Sequence, residues 1–308
     1  MNETIDALQL NLGGGGLMVM NISLAVIMFG VALELKISHF KAIAKQPKGV
    51  ITGFISQFLF LPAITLVLIW LLEPYPSFAL GMMMVAACPG GNISNFFSQL
   101  AGGNTALSIS LTAIATLLAV LATPLNFTFW ASLYPPTADI LREIQVDIVQ
   151  VFQIVGLILG IPLILGMLAS HYAENYALQW TSWIKRFGIV FFGSFVVVAF
   201  SMNFEHFLGY VHLVIGLVFL HNLLALLGGY SLGKLSNLPA PDCKSIAIET
   251  GIQNSGLGLL LIFSFFGSLG GMALIAAWWG IWHIIVGFIM SWYWSTGKTS
   301  IKKLFSNA

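Results

Sequence analysis

The feature that most constrains the fold is a succession of apolar runs, each long enough to cross a lipid bilayer. A transmembrane helix needs about 20 apolar residues to span about 30 Å of hydrocarbon. Nine runs meet this length, and they are 17–35, 48–72, 78–100, 104–133, 146–170, 183–203, 208–234, 243–268 and 271–294. Only 7% of the residues are charged, whereas soluble domains carry about 25%. The sequence predicts an all-α polytopic membrane protein, a single domain over 1–308 with nine transmembrane helices.

The basic residues are distributed unevenly between the two sides of the predicted bundle. If the first span runs inward, Arg142 is the only one of the 12 basic residues that falls outside. The inside carries Lys36, Lys41, Lys45, Lys48, Lys185, Arg186, Lys234, Lys244, Lys298, Lys302 and Lys303. Basic loops concentrate on the cytoplasmic side of membrane proteins. We therefore expect a bacterial inner (plasma) membrane protein, with its N-terminus outside and its C-terminus cytoplasmic.

Two of the predicted spans are interrupted by polar, Gly and Pro residues. The third span contains the interruption Cys88–Asn95, and the eighth contains Ile248–Gly256. The two spans are five apart, so they cross the membrane in opposite directions. If the segments 17–133 and 183–294 are paired and 146–170 is unpaired, each half is broken in its third span, and the halves are inverted repeats. Broken helices at matching positions of inverted halves indicate the binding site of a secondary transporter.

Glu249 is the acidic residue that falls inside an apolar segment. A carboxylate at membrane depth costs roughly 2.5–3.5 kcal/mol on insertion scales, so it requires a compensating partner. Its neighbours along the chain offer amide and hydroxyl oxygens and no Lys or Arg. A small hard cation bound by oxygens fits this setting. Gly251 and Gly256 would allow the helix to open and expose backbone carbonyls to that ion.

Several other polar residues of the apolar runs could serve either function or helix packing. Ser108 and Thr112 lie one helical turn apart and share a face, but hydroxyls in membrane helices often hold helices together. A functional role is favoured for Ser108 and Thr112 because the short loop at Gly102 and Gly103 would fold their helix back beside the first interruption. By itself, Gln57 would also be a packing residue.

The later spans also contain the polar residues His221, Asn222 and His283. The two histidines do not have the spacing typical of a metal site. We interpret His283 as a substrate contact, and His221 and Asn222 as structural residues.

The two interruptions together resemble the bile acid:sodium symporter family. The resemblance is carried by Cys88-Pro89-Gly90-Gly91 followed by Ser94-Asn95, and by Glu249-Thr250-Gly251-Ile252-Gln253-Asn254-Ser255. Further matches are Met28-Phe29-Gly30, Gln57-Phe58, Leu61-Pro62 and His221-Asn222, so the resemblance runs over nearly the whole chain. It implies a core domain with two broken helices that cross near mid-membrane, a separate panel domain, and two sodium sites behind the crossing.

The resemblance also implies the ligands of each sodium ion. The first site would use Ser94, Asn95, Ser108, Thr112 and Glu249. The second would use Gln57, Glu249, Thr250, Ile252 and Gln253, some through backbone carbonyls. Position 252 is Ile where the family often has Met, a change that a backbone ligand would survive.

The two helix interruptions also predict where a substrate binds. Helix N-termini present unpaired N–H groups and a positive dipole end, which favour an anionic group. We expect an organic anion, either of the bile acid type or a small carboxylate such as pantoate. Its predicted contacts are Asn92, Asn254, Ser255 and His283. We expect the backbone N–H groups of Asn92 and Asn254 to be directed at the anion. Position 92 is often Thr in the family.

The most consistent interpretation is a sodium-coupled symporter of organic anions that works by alternating access. A proton-coupled carrier or antiporter that uses Glu249 is one alternative. An uncoupled channel or sensor is another, although the polar residues cluster at mid-depth and do not follow a pore. We expect no enzyme activity and no nucleic-acid partner, because no nucleophile–base, metal-ligand or nucleotide-binding pattern is present. The expected surroundings are lipid, and the sequence indicates no oligomeric state.

Overall fold

The computed structural model describes residues 13–34, 47–144, 153, 155–173, 176–177, 179–184, 186–188, 190–191, 194, 204–266 and 269–295. Within these residues the chain is helical and forms no β-strand. The helices are α1 Gly13–Leu33, α2 Pro47–Leu72, α3 Pro76–Ala87, α4 Ile93–Leu100, α5 Thr105–Ser132, α6 Pro135–Glu143, α7 Gly156–Tyr172, α8 Phe204–Leu235, α9 Ala240–Gly251, α10 Ser255–Phe265 and α11 Gly270–Ser295. The prediction of an all-helical protein is confirmed.

Four described helices are long and apolar enough to cross a membrane by themselves. They are α2, α5, the part Gly209–Leu235 of α8, and α11. The shorter apolar helices α3 and α10 are parts of the predicted third and eighth spans, which the structure divides where the sequence is interrupted. Most of the predicted span 183–203 lies outside the described residues. The count of nine spans and the inverted repeat therefore stay predictions.

Helix α2 contains a widened turn that has an identifiable cause. Pro62 has no N–H, so the carbonyl of Phe58, four residues earlier, loses its helical partner. The chain forms a π-helical turn over Ser56–Phe60, and the side chain of Asn126 donates to the Phe58 carbonyl at 3.0 Å. Such turns occur frequently at functional sites. Gln57 lies in this turn with its side chain buried.

The interruptions of the two broken helices meet in the interior. The N–H of Gly91 donates to the carbonyl of Ile252 at 2.8 Å, and the N–H of Asn254 donates to the carbonyl of Pro89 at 2.8 Å. Backbone polar groups at membrane depth have to be satisfied within the protein. Each broken helix therefore supplies hydrogen-bond partners for the other, and neither opening would be stable alone.

One end of the bundle, which we call the lysine end, is formed by the start of α2 and α9 and the end of α4, α8 and α11. There the hydroxyl of Thr52 donates to the hydroxyl of Ser236 at 3.1 Å. The ammonium of Lys244 donates to the carbonyls of Ala101 at 2.9 Å and Trp294 at 3.4 Å. These contacts bring the termini of five helices to the same side.

The opposite end, which we call the aromatic end, is formed by the end of α2 and α5 and the start of α3 and α8. The rings of Trp70 and Tyr134 lie 5.1 Å apart, edge to face, and those of Tyr75 and Tyr210 lie 6.0 Å apart. Aromatic side chains of this kind favour the boundary between lipid and water. Helix α2 ends here at Glu73, which adopts a left-handed conformation with φ of 44°.

Helices α3 and α9 lie at the centre of the bundle. Every residue of α3 from Ser77 to Ala87 is buried. Helix α9 approaches α8 closely because position 229 is Gly: a Cβ there would lie 2.9 Å from the Cα of Ala247. Small residues permit such close contact between membrane helices. The packing of α8 thus fixes α9, which carries Glu249.

Candidate functional site

Glu249 lies in the last turn of α9, and its carboxylate accepts hydrogen bonds from three hydroxyl groups. One oxygen, Oε2, accepts from Ser94 at 2.6 Å and from Ser108 at 3.0 Å. The other oxygen, Oε1, accepts from the hydroxyl of Thr112. The Glu249 side chain is 1% exposed. Helices α4, α5 and α9 therefore converge on one buried carboxylate.

The amide oxygen of Asn95 completes this group of oxygens. It accepts from Ser108 at 2.8 Å and from Thr112 at 3.2 Å. The structure thus brings together all five residues that were predicted for the first sodium site. It adds Ser98, whose hydroxyl lies 3.1 Å from that of Ser108. Ser98 follows Ser94 by four residues on the same helix face, and this spacing is the signal from which it could have been predicted.

The oxygens of this cluster outnumber the protons that could join them. A hydroxyl group has one hydrogen to donate. Ser108 lies within hydrogen-bonding distance of both Asn95 Oδ1 and Glu249 Oε2, and Thr112 lies within reach of Asn95 Oδ1 and Glu249 Oε1. Among the described residues, no Lys or Arg forms an ion pair with the carboxylate. An oxygen-rich buried site with excess lone pairs is suited to a hard cation.

A second group of amide side chains lies beside the same carboxylate. A Cβ on Gly90 would lie 2.5 Å from Glu249 Oε1 and 3.1 Å from Gln57 Nε2, so only Gly permits this approach. Neither Gln57 Nε2 nor Gln253 Oε1 has a hydrogen-bond partner within the described part of the chain. Gln253 Nε2 donates to the carbonyl of Thr250 at 2.8 Å. Buried amides with unsatisfied atoms are uncommon and require an explanation.

The remaining residues predicted for the second sodium site are close by but already hydrogen-bonded. The Thr250 hydroxyl donates to the carbonyl of Ile246 at 2.8 Å and lies 2.7 Å from the hydroxyl of Ser56. The carbonyl of Ile252 accepts from Gly91. Each carbonyl oxygen has a second lone pair, so these bonds leave room for a further contact. Ser56 was not predicted, and its role depends on the turn of α2.

Asn254 forms part of the joint between the broken helices and also caps α10. Its side-chain oxygen accepts from the N–H of Leu257 at 3.0 Å. Its own N–H donates to Pro89. The expectation that the Asn254 N–H faces an anionic group is therefore wrong, because backbone pairing across the interruptions uses that N–H. Asn92 precedes α4 and is half-buried, as is Asn254.

Ser255 begins α10 and lies against α11, the helix that carries His283. A Cβ on Gly280 would lie 2.7 Å from the Ser255 hydroxyl oxygen, and His283 follows Gly280 by about one turn. The His283 side chain is buried, and its Nδ1 has no partner among the described residues. The role of both residues in substrate binding stays a prediction.

The adjacent residues His221 and Asn222 hold α8 against its neighbours. The Nε2 atom of His221 lies 2.6 Å from the hydroxyl of Thr65. The amide of Asn222 donates to the carbonyl of Gly251 at 2.7 Å. Asn222 therefore fixes the last residue of α9, two positions after Glu249, in agreement with the structural role expected for it.

Comparison with known proteins identifies the family of this chain. Residues 21–210 match the model of the Sodium Bile acid symporter family. The chain belongs to this family. The matched residues include Gln57 and the α4 and α5 members of the oxygen cluster, and they end before Glu249.

Individual relatives extend the similarity into the second interruption and beyond. One is an uncharacterized sodium-dependent transporter, YocS, of Bacillus subtilis, 33% identical over 274 residues that cover 89% of this chain and 82% of the relative. A probable sodium/metabolite cotransporter of Arabidopsis thaliana chloroplasts, BASS1, is 26% identical over 89% of this chain and 66% of its own. The human ileal sodium/bile acid cotransporter is 27% identical over 78% of this chain and 67% of its own. The symporter family member described here is thus a sodium-dependent integral membrane transporter and not an enzyme.

Proposed function

We propose that this protein is a sodium-coupled symporter that carries an organic anion by alternating access. The observation that carries the proposal is the cluster around Glu249, where one buried carboxylate meets oxygens from Ser94, Asn95, Ser108 and Thr112. A sodium ion in this cluster would neutralise a charge that is otherwise costly at membrane depth. The ion would also be coordinated by those oxygen lone pairs of the cluster that receive no hydrogen bond from a hydroxyl group.

The position of the cluster suggests how ion and substrate are coupled. Sodium at Glu249 would join α9 to α4 and α5, and therefore fix the first half of one broken helix against the second half of the other. The proposed substrate residues Asn92 and Asn254 border the same interruptions. Each ligand would favour the arrangement that the other requires. Coupling of this kind is typically worth 1–3 kcal/mol, or about 5- to 150-fold in affinity.

We propose a second sodium ion between Gln57, Gln253 and Glu249, with Thr250 and Ile252 contributing oxygens. The unpartnered amide atoms Gln57 Nε2 and Gln253 Oε1 support it. The nitrogen and oxygen of a side-chain amide are assigned from the hydrogen-bond network, so a rotated Gln57 amide would direct oxygen at the ion. Measuring sodium cooperativity in Gln57→Ala tests this, because loss of one of two ions should lower the Hill coefficient towards 1.

The proposed substrate is an organic anion that contacts Asn92, Asn254, Ser255 and His283. The half-buried amides of Asn92 and Asn254 can donate to a carboxylate or sulfonate. The relatives include proteins named for bile acid and for metabolites, so a steroid and a small carboxylate such as pantoate are both included in the test. We further propose that the fold consists of a core domain and a panel domain, and that the segments 17–133 and 183–294 are inverted repeats.

We also propose that the lysine end faces the cytoplasm of a bacterial cell, with the N-terminus outside. Lys48, Lys234 and Lys244 lie at or near helix termini of the lysine end, whereas Asp139 and Arg142 lie in α6, near the aromatic end. This segregation follows the distribution of basic residues in known membrane proteins. A reporter fused after Ser300 should be cytoplasmic, and one near Asp139 should be external.

The decisive experiment is uptake of a panel of radiolabelled organic anions into liposomes that contain the purified protein. We expect concentrative uptake with an inward sodium gradient and background uptake when choline replaces sodium. Uptake driven by a proton gradient in choline would favour a proton-coupled carrier. Uptake that never exceeds the external concentration would favour a channel.

A further inference from the structure

Polar groups continue from the Glu249 cluster towards the lysine end. Ser245 and Asp242 precede Glu249 by four and seven residues, so all three share a face of α9. Ser245 is fully buried, and Asp242 is 9% exposed. Seven residues of helix span about 10.5 Å, which is the distance from the cluster to the end of the helix. Neither residue is a ligand in the proposed ion sites.

The first part of this polar path leads from the cluster into the turn between α4 and α5. Ser98 contacts Ser108, and the carbonyl of Ser98 accepts from the N–H of Gly103 at 2.8 Å. Ser98 and Ser108 are both fully buried. Ser108 and Ser98 therefore link Glu249 to Gly103 through polar groups.

The second part leads from the turn to the start of α9. The Ser245 hydroxyl donates to the carbonyl of Asn104 at 3.0 Å, and the Asn104 amide donates to Asp242 Oδ1 at 2.9 Å. Asp242 lies in the first turn of α9, at the lysine end. The path thus ends at a carboxylate that is close to the aqueous phase.

Gly103 lies between these two parts, where it is closely surrounded by oxygens of both. A Cβ at this position would lie 2.7 Å from the Ser245 hydroxyl oxygen, 3.0 Å from the Ser98 carbonyl oxygen and 3.3 Å from the Pro241 carbonyl oxygen. Three oxygens therefore surround the position that the Cβ of any other residue would occupy.

In the opposite direction, towards the aromatic end, the two broken helices consist of the largely apolar halves α3 and α10. There α3 and α10 contact each other through apolar groups: a Cβ on Gly258 would meet Cys88 Sγ at 3.6 Å and Met84 Cγ at 3.8 Å. In this conformation, a cation that left its ligands between α3 and α10 would enter an apolar interior, which is strongly unfavourable; alternating access requires a different arrangement for exchange with the opposite side.

We propose that the oxygens from Ser98 to Asp242 form the route by which sodium passes between Glu249 and the aqueous phase at the lysine end, with Gly103 between its two parts. The inference rests on the proposed function, since it requires sodium at Glu249. Asp242 acts as a positioning residue that attracts the cation to the end of the route. The ammonium of Lys244 is held beside the route by the carbonyls of Ala101 and Trp294 and lies over the Trp294 ring.

A purely structural role for the same contacts makes a different prediction. If Ser245 and Asn104 only fasten the turn to α9, their loss should lower stability and sodium affinity together. A route, in contrast, governs how fast sodium enters and leaves, and leaves its equilibrium affinity almost unchanged. Rates and affinity therefore have to be measured on the same variants.

The experiment uses the full-length protein in liposomes and radioactive sodium as the probe. Sodium exchange gives the rate, and the sodium dependence of the thermal unfolding midpoint gives the affinity. We expect Gly103→Ala to slow exchange at least about tenfold, because the added methyl group crowds the three oxygens. The matched control is Gly216→Ala, where an added Cβ has no heavy atom within 4 Å.

Asp242→Asn provides a second variant that adds no bulk. Charges at the entrance of a narrow site raise association rates by about 10- to 1,000-fold, and salt screens the effect. We expect slower exchange at low ionic strength and a smaller difference at high ionic strength, with sodium affinity within about twofold of wild type.

The outcomes separate this inference from the proposed function. Wild-type exchange rates in both Gly103→Ala and Asp242→Asn would overturn the route and leave the sodium site intact. Parallel losses of rate and affinity would assign these contacts a structural role and also overturn it. If the wild-type protein shows no sodium-dependent uptake, the proposed function fails, whatever the variants do.

Discussion

The two broken helices share one backbone arrangement but differ in where their polar side chains lie. Both are interrupted near the middle, and Gly90 pairs with Gln253 across the two interruptions. Before its interruption, the first broken helix is largely apolar and is buried from Ser77 to Ala87, and most of its hydroxyls lie in α4. The second carries its polar residues before the interruption, in α9, and continues as the apolar α10.

This difference places the oxygens around Glu249, which we propose as the first sodium site, on one side of the joint. The two broken helices run in opposite directions, so the second half of one and the first half of the other both extend to the lysine end. The apolar halves α3 and α10 contribute to the main hydrophobic core, with Met83, Leu260 and Ile262 fully or almost fully buried. The joint is therefore nearly symmetric in its backbone, while the residues proposed for the first sodium site and the residues that pack the core lie in separate halves.

The largest effect should come from removing the charge at the centre of the polar half. Glu249→Gln keeps the shape of the side chain and leaves sodium without a counter-charge. Removing one partner of a buried ion pair typically costs 3–5 kcal/mol, so we expect sodium-dependent uptake at low sodium to fall by about a hundredfold or more. The matched control is Glu73→Gln at the exposed end of α2. If Glu249→Gln retained wild-type uptake and sodium dependence, Glu249 would not be a ligand.

Two glycines allow a direct comparison of the polar and apolar sides. A Cβ on Gly90 would lie 2.5 Å from Glu249 Oε1, whereas on Gly258 the nearest atom would be 3.6 Å away. We expect Gly90→Ala to lower sodium affinity by about tenfold or more, because the carboxylate has to move. Gly258→Ala should keep sodium affinity and raise stability by up to about 1 kcal/mol, since Gly is unfavourable within a helix.

For both glycine variants, the sodium dependence of uptake gives the sodium affinity, and thermal unfolding gives the stability. Equal losses of sodium affinity in Gly90→Ala and Gly258→Ala would show that the joint responds as a whole. The assignment of separate functions to the two halves would then be incorrect.

The sequence predicted the helices better than the contacts between them. The limits 104–133 and 271–294 differ by one residue at each end from α5 and α11, because bilayer thickness alone sets the length of an apolar run. The cost of a buried carboxylate singled out Glu249, and the spacing of Ser108 and Thr112 put them on one face. Joining these residues to Ser94 and Asn95 required the family resemblance.

The residues that the sequence did not indicate depend on tertiary structure. Ser56 reaches Thr250 only because α2 widens before Pro62. The N–H of Asn254 is satisfied by Pro89, a residue far away in the sequence. No local pattern encodes which carbonyl lies opposite a given N–H at a joint between two broken helices. Such pairing therefore could not be predicted from one sequence.

A smaller effect should follow from removing single hydroxyls of the polar half. A hydrogen bond to a charged group contributes about 1.5–3 kcal/mol, so we expect Ser108→Ala and Thr112→Ala each to raise the sodium concentration for half-maximal uptake by about tenfold. The double variant should be non-additive, because both groups contact one ion. Ser110→Ala is the control, since its hydroxyl donates to Ala106 within its own helix. Strictly additive, small effects would return Ser108 and Thr112 to a packing role.

The smallest effect should distinguish the two roles of Asn254, which caps the apolar half α10 and borders the proposed substrate site. Asp can accept the Leu257 N–H as Asn does, so Asn254→Asp should keep the cap, whereas Asn254→Ala should lose about 1 kcal/mol of stability. The added negative charge should repel an anionic substrate and raise its KM several-fold, by about 1 kcal/mol, without changing sodium affinity. Thermal unfolding reports the cap, and uptake at saturating sodium reports the substrate. If Asn254→Asp transports the anion as the wild-type protein does, Asn254 serves only to begin α10, and the substrate binds away from this half of the joint.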